Sequence, residues 1–125
     1  MKSLFDIRDK VIVVTGGGGI LCGEMARALA RAGAKVAVLD LFEAAAGKIV
    51  GQITSDDGDA IAVKCNVLDK ASIVEARGKV LAAYGRLDVL INGAGGNKKD
   101  ATTSPDLSFF DLPAEAIRFV FDLNF

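Results

Sequence analysis

Val11-Ile12-Val13-Val14-Thr15-Gly16-Gly17-Gly18-Gly19-Ile20-Leu21-Cys22-Gly23 is the stretch from which the fold follows. The continuous apolar run within residues 10–15 suits a strand buried on both faces, as in a parallel sheet. Four glycines end it. Leu21, Met25, Leu29 and Ala32 then recur at helical spacing, with Glu24, Arg27 and Arg31 elsewhere on the surface, so residues 21–32 read as a helix. Gly33 supplies its C-cap. In such a strand–turn–helix unit the N–H groups of a glycine-rich turn can approach a phosphate, and the helix dipole adds attraction for the anion.

The rhythm continues outward. Residues 35–40 form a second strand and residues 43–54 a helix. Asp56-Asp57-Gly58 is a turn, residues 60–65 a third strand, and residues 70–84 a long helix closed by Gly85. Residues 88–92, around Val89-Leu90-Ile91, make a fourth buried strand. Alternating strands and helices imply right-handed crossovers. The fold class is therefore α/β, a Rossmann-type doubly wound parallel sheet with strand order 3-2-1-4, incomplete in this portion. Residues 93–111 are polar and without clear period, as in a functional or disordered loop. Pro113 fits the first turn of a last helix over residues 114–125, with Ile117, Val120, Phe121 and Phe125 along one face.

Composition narrows the function classes. The 125 residues are 51% apolar and 25% charged with a net charge of −1, which suits a soluble domain and gives no reason to expect nucleic acid or an anionic membrane. No apolar run reaches bilayer length, and the first ten residues are too charged for a signal-peptide core. Two cysteines, Cys22 and Cys65, indicate no disulfide framework, and a cytoplasmic location is the expectation. With no histidine and no CxxC, no metal site is expected, and Ser-His or Cys-His catalysis within this chain is excluded.

Several segments together resemble the short-chain dehydrogenase/reductase family. Val14-Thr15-Gly16 after a strand is similar to the start of its Thr-Gly-x-x-x-Gly-x-Gly signature, with Ile20 and Cys22 where the second and third glycines belong. The resemblance implies a cofactor-binding turn containing Gly16, Gly18, Gly19, Ile20 and Leu21. Asp40 ends the second strand about 20 residues beyond the glycines, where a dinucleotide fold places an acid on the adenosine ribose. With no cation at Leu41 or Phe42, NAD is the expected cofactor; the alternative for Asp40 is capping the next helix. Asn66-Val67 resembles the family's Asp-Val pair at the adenine ring. Asn92-Gly93-Ala94-Gly95 resembles its Asn-Asn-Ala-Gly motif, so Asn92, Ala94 and Gly95 carry over as cofactor-side residues and Gly93 does not. Asp122-Leu123-Asn124 resembles the Asp-Val-Asn segment that supplies the catalytic asparagine, which makes Asn124 the catalytic candidate.

The family's Ser and Tyr-x-x-x-Lys are not in this sequence. The one tyrosine, Tyr84, is followed four positions on by Asp88 and is read as structural. The expectation is that residues 1–125 form the N-terminal part of a single NAD-binding domain, inactive and marginally folded alone, with an exposed fourth strand. The four-glycine run, Gly95-Gly96-Asn97 and residues 101–105 are similar to the D-mannonate oxidoreductase (fructuronate reductase) branch. This implies hydride transfer involving a sugar acid, and the resemblance also implies a homo-oligomer. A short-chain reductase for a gluconate-type or 3-oxoacyl substrate, and a non-catalytic nucleotide-binding module, remain open alternatives. Cys22 and Cys65 read as packing residues; Lys98-Lys99 reads either as attraction for an acidic substrate or as solvated loop.

Overall fold

The strand read as decisive, β1 (Val11–Thr15), has all five residues buried. It lies inside a four-stranded parallel sheet of order β3-β2-β1-β4, with β2 at Lys35–Asp40, β3 at Asp59–Lys64 and β4 at Val89–Ile91. The computed structural model describes residues 3–125; Met1 and Lys2, part of the charged N-terminus, lie outside the described residues. The chain divides into two compact units, Met1–Gly93 and Ala94–Phe125.

In the first unit, strand alternation feeds two cores. Ile12, Val14, Val36 and Val38 pack with Ala26 and Ala30 of α1 (Ile20–Arg31) and with Ala46 and Ile53 of α2 (Glu43–Ser55). Val11, Val13, Ala37, Leu39 and Val63 pack on the other face with Ala76 and Val80 of α3 (Lys70–Tyr84). Successive strand residues point to opposite faces, so an unbroken apolar run needs helices on both. Asp69 caps α3 by accepting from the Ala71 N–H at 3.0 Å, and Gly85 ends it at φ 73°.

β4 is the exposed outer strand that the order 3-2-1-4 implies: Val89 and Leu90 are 41% and 52% exposed, because β4 lies beside β1 and no further strand among the described residues pairs with it. Residues 93–111, all but the first of them in the second unit, are not without structure: two 3-10 turns, Lys99–Ala101 and Phe109–Asp111, and a bridge between Ser104 and Leu107 organise them. Pro113 stands at the N-cap of α4 (Ala114–Asn124), one residue before the first turn where the sequence placed it.

Candidate nucleotide-binding site

At the end of β1 the chain enters α1 through Gly16–Gly19, and most of the turn's own N–H groups point inward. Gly17 donates to the Leu39 carbonyl at 2.9 Å, Gly18 to Asp40 Oδ2 at 3.0 Å and Gly19 to the Gly16 carbonyl at 3.1 Å. The first helical bond runs from the Gly23 N–H to the Gly19 carbonyl, so the N–H groups of Ile20, Leu21 and Cys22 lie ahead of the ladder. Anion attraction is therefore concentrated in the first turn of α1, and Gly18 and Gly19 contribute close backbone approach. Ile20 and Leu21 place apolar side chains, 98% and 69% exposed, beside those donors.

Asp40 closes β2 and braces this turn. Besides the Gly18 bond, its Oδ1 accepts from the Phe42 N–H at 3.0 Å, just before α2. Of the two sequence readings of Asp40, the one at the entry to α2 has a counterpart in the Phe42 bond, while the side chain stays partly exposed. A carboxylate oxygen can accept more than one hydrogen bond, so each retains capacity for a hydroxyl. The donor set at α1 and the acceptor at β2 fit a dinucleotide's pyrophosphate and ribose.

Asn66 follows the end of β3. Its Oδ1 accepts from the Leu68 N–H at 3.0 Å, and its own N–H donates to Ser72 Oγ at 2.9 Å, which shapes the turn into α3. Val67 packs partly buried against the second core. Asn92 follows β4 and is exposed.

Thr15 has a role that its place in the motif does not reveal. Its Oγ1 accepts from the Gly93 N–H at 3.0 Å and donates to the Ile91 carbonyl at 3.4 Å, tying β1 to the end of β4 beside the turn. A hydroxyl at the junction of strand and glycines was the available signal. Cys22 Sγ lies 3.9 Å from the Gly93 carbonyl. Cys65 is buried, and burial pushes its thiol up, with the hydrogen bond to Ser72 opposing.

Within the second unit, Asn124 holds the loop that begins at Ala94. Its Nδ2 donates to the Gly96 carbonyl at 2.7 Å and its Oδ1 accepts from the Gly96 N–H at 3.1 Å. Nδ2 also reaches the Val120 carbonyl at 2.7 Å. Gly95 must lack a side chain here, since a Cβ would lie 2.8 Å from Asn124 Oδ1. Ala94 is half-buried where this loop begins. Lys98 sets its ammonium 5.2 Å from the Phe119 ring centroid. Tyr84, in the first unit, donates to Asp59 Oδ1 at 2.8 Å; burial first, then that contact, raises its hydroxyl above the ordinary tyrosine value.

Known proteins resemble this chain in sequence and fold. An uncharacterized oxidoreductase of Haemophilus influenzae is 41% identical over 96% of this chain and 46% of its own length. A crystal structure with bound NAD, also from Haemophilus and provisionally named D-mannonate oxidoreductase, matches with TM-score 0.90 and 39% identity over 96% of this chain and 46% of that one. A hydroxysteroid dehydrogenase of Escherichia coli matches with TM-score 0.82 and 30% identity over 94% of this chain and 47% of its own. The chain thus spans about half the length of these relatives. Residues 10–125 match the short chain dehydrogenase family, and the chain belongs to it.

Proposed function

We propose that this chain is the NAD(H)-binding portion of a short-chain oxidoreductase, organised as the N-terminal part of a single domain. The carrying observation is the pairing of the open first turn of α1 with the Asp40 carboxylate across the glycine turn. The pyrophosphate sits at the N–H groups of Ile20, Leu21 and Cys22, with Gly16, Gly18 and Gly19 allowing close approach. Asp40 accepts from the adenosine ribose. Asn66 and Val67 flank the adenine, and Asn92 stands at the nicotinamide side. When bound, the nicotinamide supplies a hydride acceptor or donor. Everything else follows from how these residues hold it.

In the second unit, Ala94 and Gly95 give the loop its small profile, and Asn124 acts as a positioning residue through Gly96 rather than on substrate directly. The substrate of the whole protein is a sugar acid, D-mannonate or D-fructuronate. The provisionally named neighbour and the loop at residues 97–105 support that choice; family membership supports a homo-oligomer, and the composition supports a cytoplasmic location. No helix of the described residues is long and apolar enough to cross a membrane. NAD titrated into the 125-residue chain, followed by NMR, tests the reading. The expected shifts fall on Gly16–Leu21 and Asp40; an unchanged spectrum at millimolar NAD overturns it. Interconversion of D-mannonate and D-fructuronate by a protein carrying this chain tests the substrate, and activity confined to acyl thioesters rejects it.

A further inference from the structure

Two of the departures from the family's motifs meet in space. Cys22 stands where the signature has its third glycine, and Gly93 stands where the fourth-strand motif has its second asparagine. A Cβ added at Gly93 would lie 2.3 Å from Cys22 Sγ, 3.5 Å from Cys22 Cβ and 2.7 Å from the Thr15 carbonyl oxygen. The first distance is far inside contact, so the sulfur occupies the space that a side chain at 93 would need. Cys22 is partly buried against the core formed by Ile12, Val14 and Ala26, which ties its position to the sheet. Thr15 holds the opposite side, through the Gly93 N–H.

From this packing we infer that Cys22 and Gly93 are one matched exchange, and that Cys22 is a positioning residue for the nucleotide turn. Side-chain volume has moved from the end of β4 to the first turn of α1. The sulfur then sets the spacing between the N–H donors of Ile20–Cys22 and the strand end at Gly93. The role of that spacing in cofactor binding rests on the function proposed above. Neither position is free to change alone. Gly93→Ala drives a methyl group between Thr15 and the sulfur, and Cys22→Gly leaves a gap where the helix start was held.

The test is a double-mutant cycle on the 125-residue chain, with Cys22→Gly, Gly93→Ala, the double variant and the near-isosteric Cys22→Ser. The readouts are NAD Kd and Tm, with Ile53→Val as a core control whose Tm falls while its Kd does not. Gly93→Ala is expected to weaken NAD at least about tenfold, and the double variant to bind about tenfold or more tighter than the product of the single effects predicts. Cys22→Ser should stay within about twofold of wild type, since it keeps the volume. Strictly multiplicative Kd effects, or a Gly93→Ala variant that loses Tm like the control with Kd unchanged, overturn the inference. If Gly93→Ala does not fold, a folded double variant supports it and an unfolded one overturns it. Failure of wild type to bind NAD sinks the proposed function instead; the pair is then judged on Tm, where additive losses overturn it.

Discussion

Each oxygen of the Asp40 carboxylate accepts one backbone N–H, from Gly18 and from Phe42, both at 3.0 Å. The side chain is thus a brace before it is a ligand, and that changes what its removal does. For the enzyme that carries this chain, NAD should be preferred over NADP. A 2′-phosphate brings like charges together and forfeits charge-assisted bonds of roughly 2–4 kcal/mol, or about 30-fold to several hundred-fold. Asp40→Ala should weaken both cofactors, because the turn loses its brace, and should also narrow the ratio. Leu41→Arg added to it should reverse the preference. Kd for both cofactors checks this, and an unchanged ratio in Asp40→Ala removes Asp40 from the ribose. The acid at the strand end was legible from spacing after the glycines. The brace was not, because its Gly18 bond joins backbone 22 residues away. Tyr84 gives a second prediction at this scale. Its hydroxyl is raised, so the folded state favours the neutral form, and stability is present below the unfolded value of about 10 and is lost as pH rises past it. The chain has one tyrosine and no tryptophan, so absorbance at 295 nm follows this group alone. Tm should fall at alkaline pH in wild type more steeply than in Tyr84→Phe; parallel curves would place the hydroxyl in water.

Two glycines show how an element's backbone decides the sign of one substitution. Gly85 ends α3 at φ 73°, and Gly47 lies inside α2; an added Cβ meets nothing within 4 Å at either. Space is therefore no obstacle in either case. Gly85→Ala forces a side chain into left-handed backbone and should destabilise by about 1 kcal/mol, whereas Gly47→Ala should stabilise by about 0.5–1 kcal/mol. Urea unfolding of both variants checks the opposite signs, and a shared sign contradicts the assigned backbone. The same elements show what could be read in advance. β1 and β2 were plain because apolar runs buried on both faces leave no solvent period to confuse them. Gly85 was plain because its conformation favours glycine. β4 carried the same apolar signal, and two of its three residues are over 40% exposed, since the strand order and not the run of side chains sets it at the edge. The 3-10 turns at Lys99–Ala101 and Phe109–Asp111 are three residues each, too short to establish a period.

At the scale of the whole molecule, binding and turnover separate. The chain covers 46% of the Haemophilus relative, and it contains one tyrosine and no histidine. Proton transfer to a carbonyl or from an alcohol needs a group of suitable pKa within hydrogen-bond reach of the substrate oxygen. Tyr84 is unsuited to that role: its hydroxyl is committed to Asp59 Oδ1, its proton is held more tightly than in free tyrosine, and the residue four positions on is the carboxylate Asp88. Asn124 cannot substitute, because a carboxamide does not ionise near neutral pH; it holds Gly96 and Val120 by hydrogen bonds instead. The open N–H groups in the first turn of α1 and the Asp40 carboxylate, proposed above to hold the dinucleotide, are nevertheless all present. The 125-residue chain should therefore bind NAD without oxidising or reducing anything. A ligand bound only by the folded state stabilises it by about 2.7 kcal/mol at 100 times its Kd, which raises Tm by several degrees in a chain of this size. Paired experiments check both halves: a thermal melt across an NAD titration, and an NADH absorbance assay with D-mannonate and D-fructuronate. The expected result is a concentration-dependent rise in Tm beside a flat absorbance trace. Turnover that survives repurification would mean that a proton-transfer group other than Tyr84 operates within these residues.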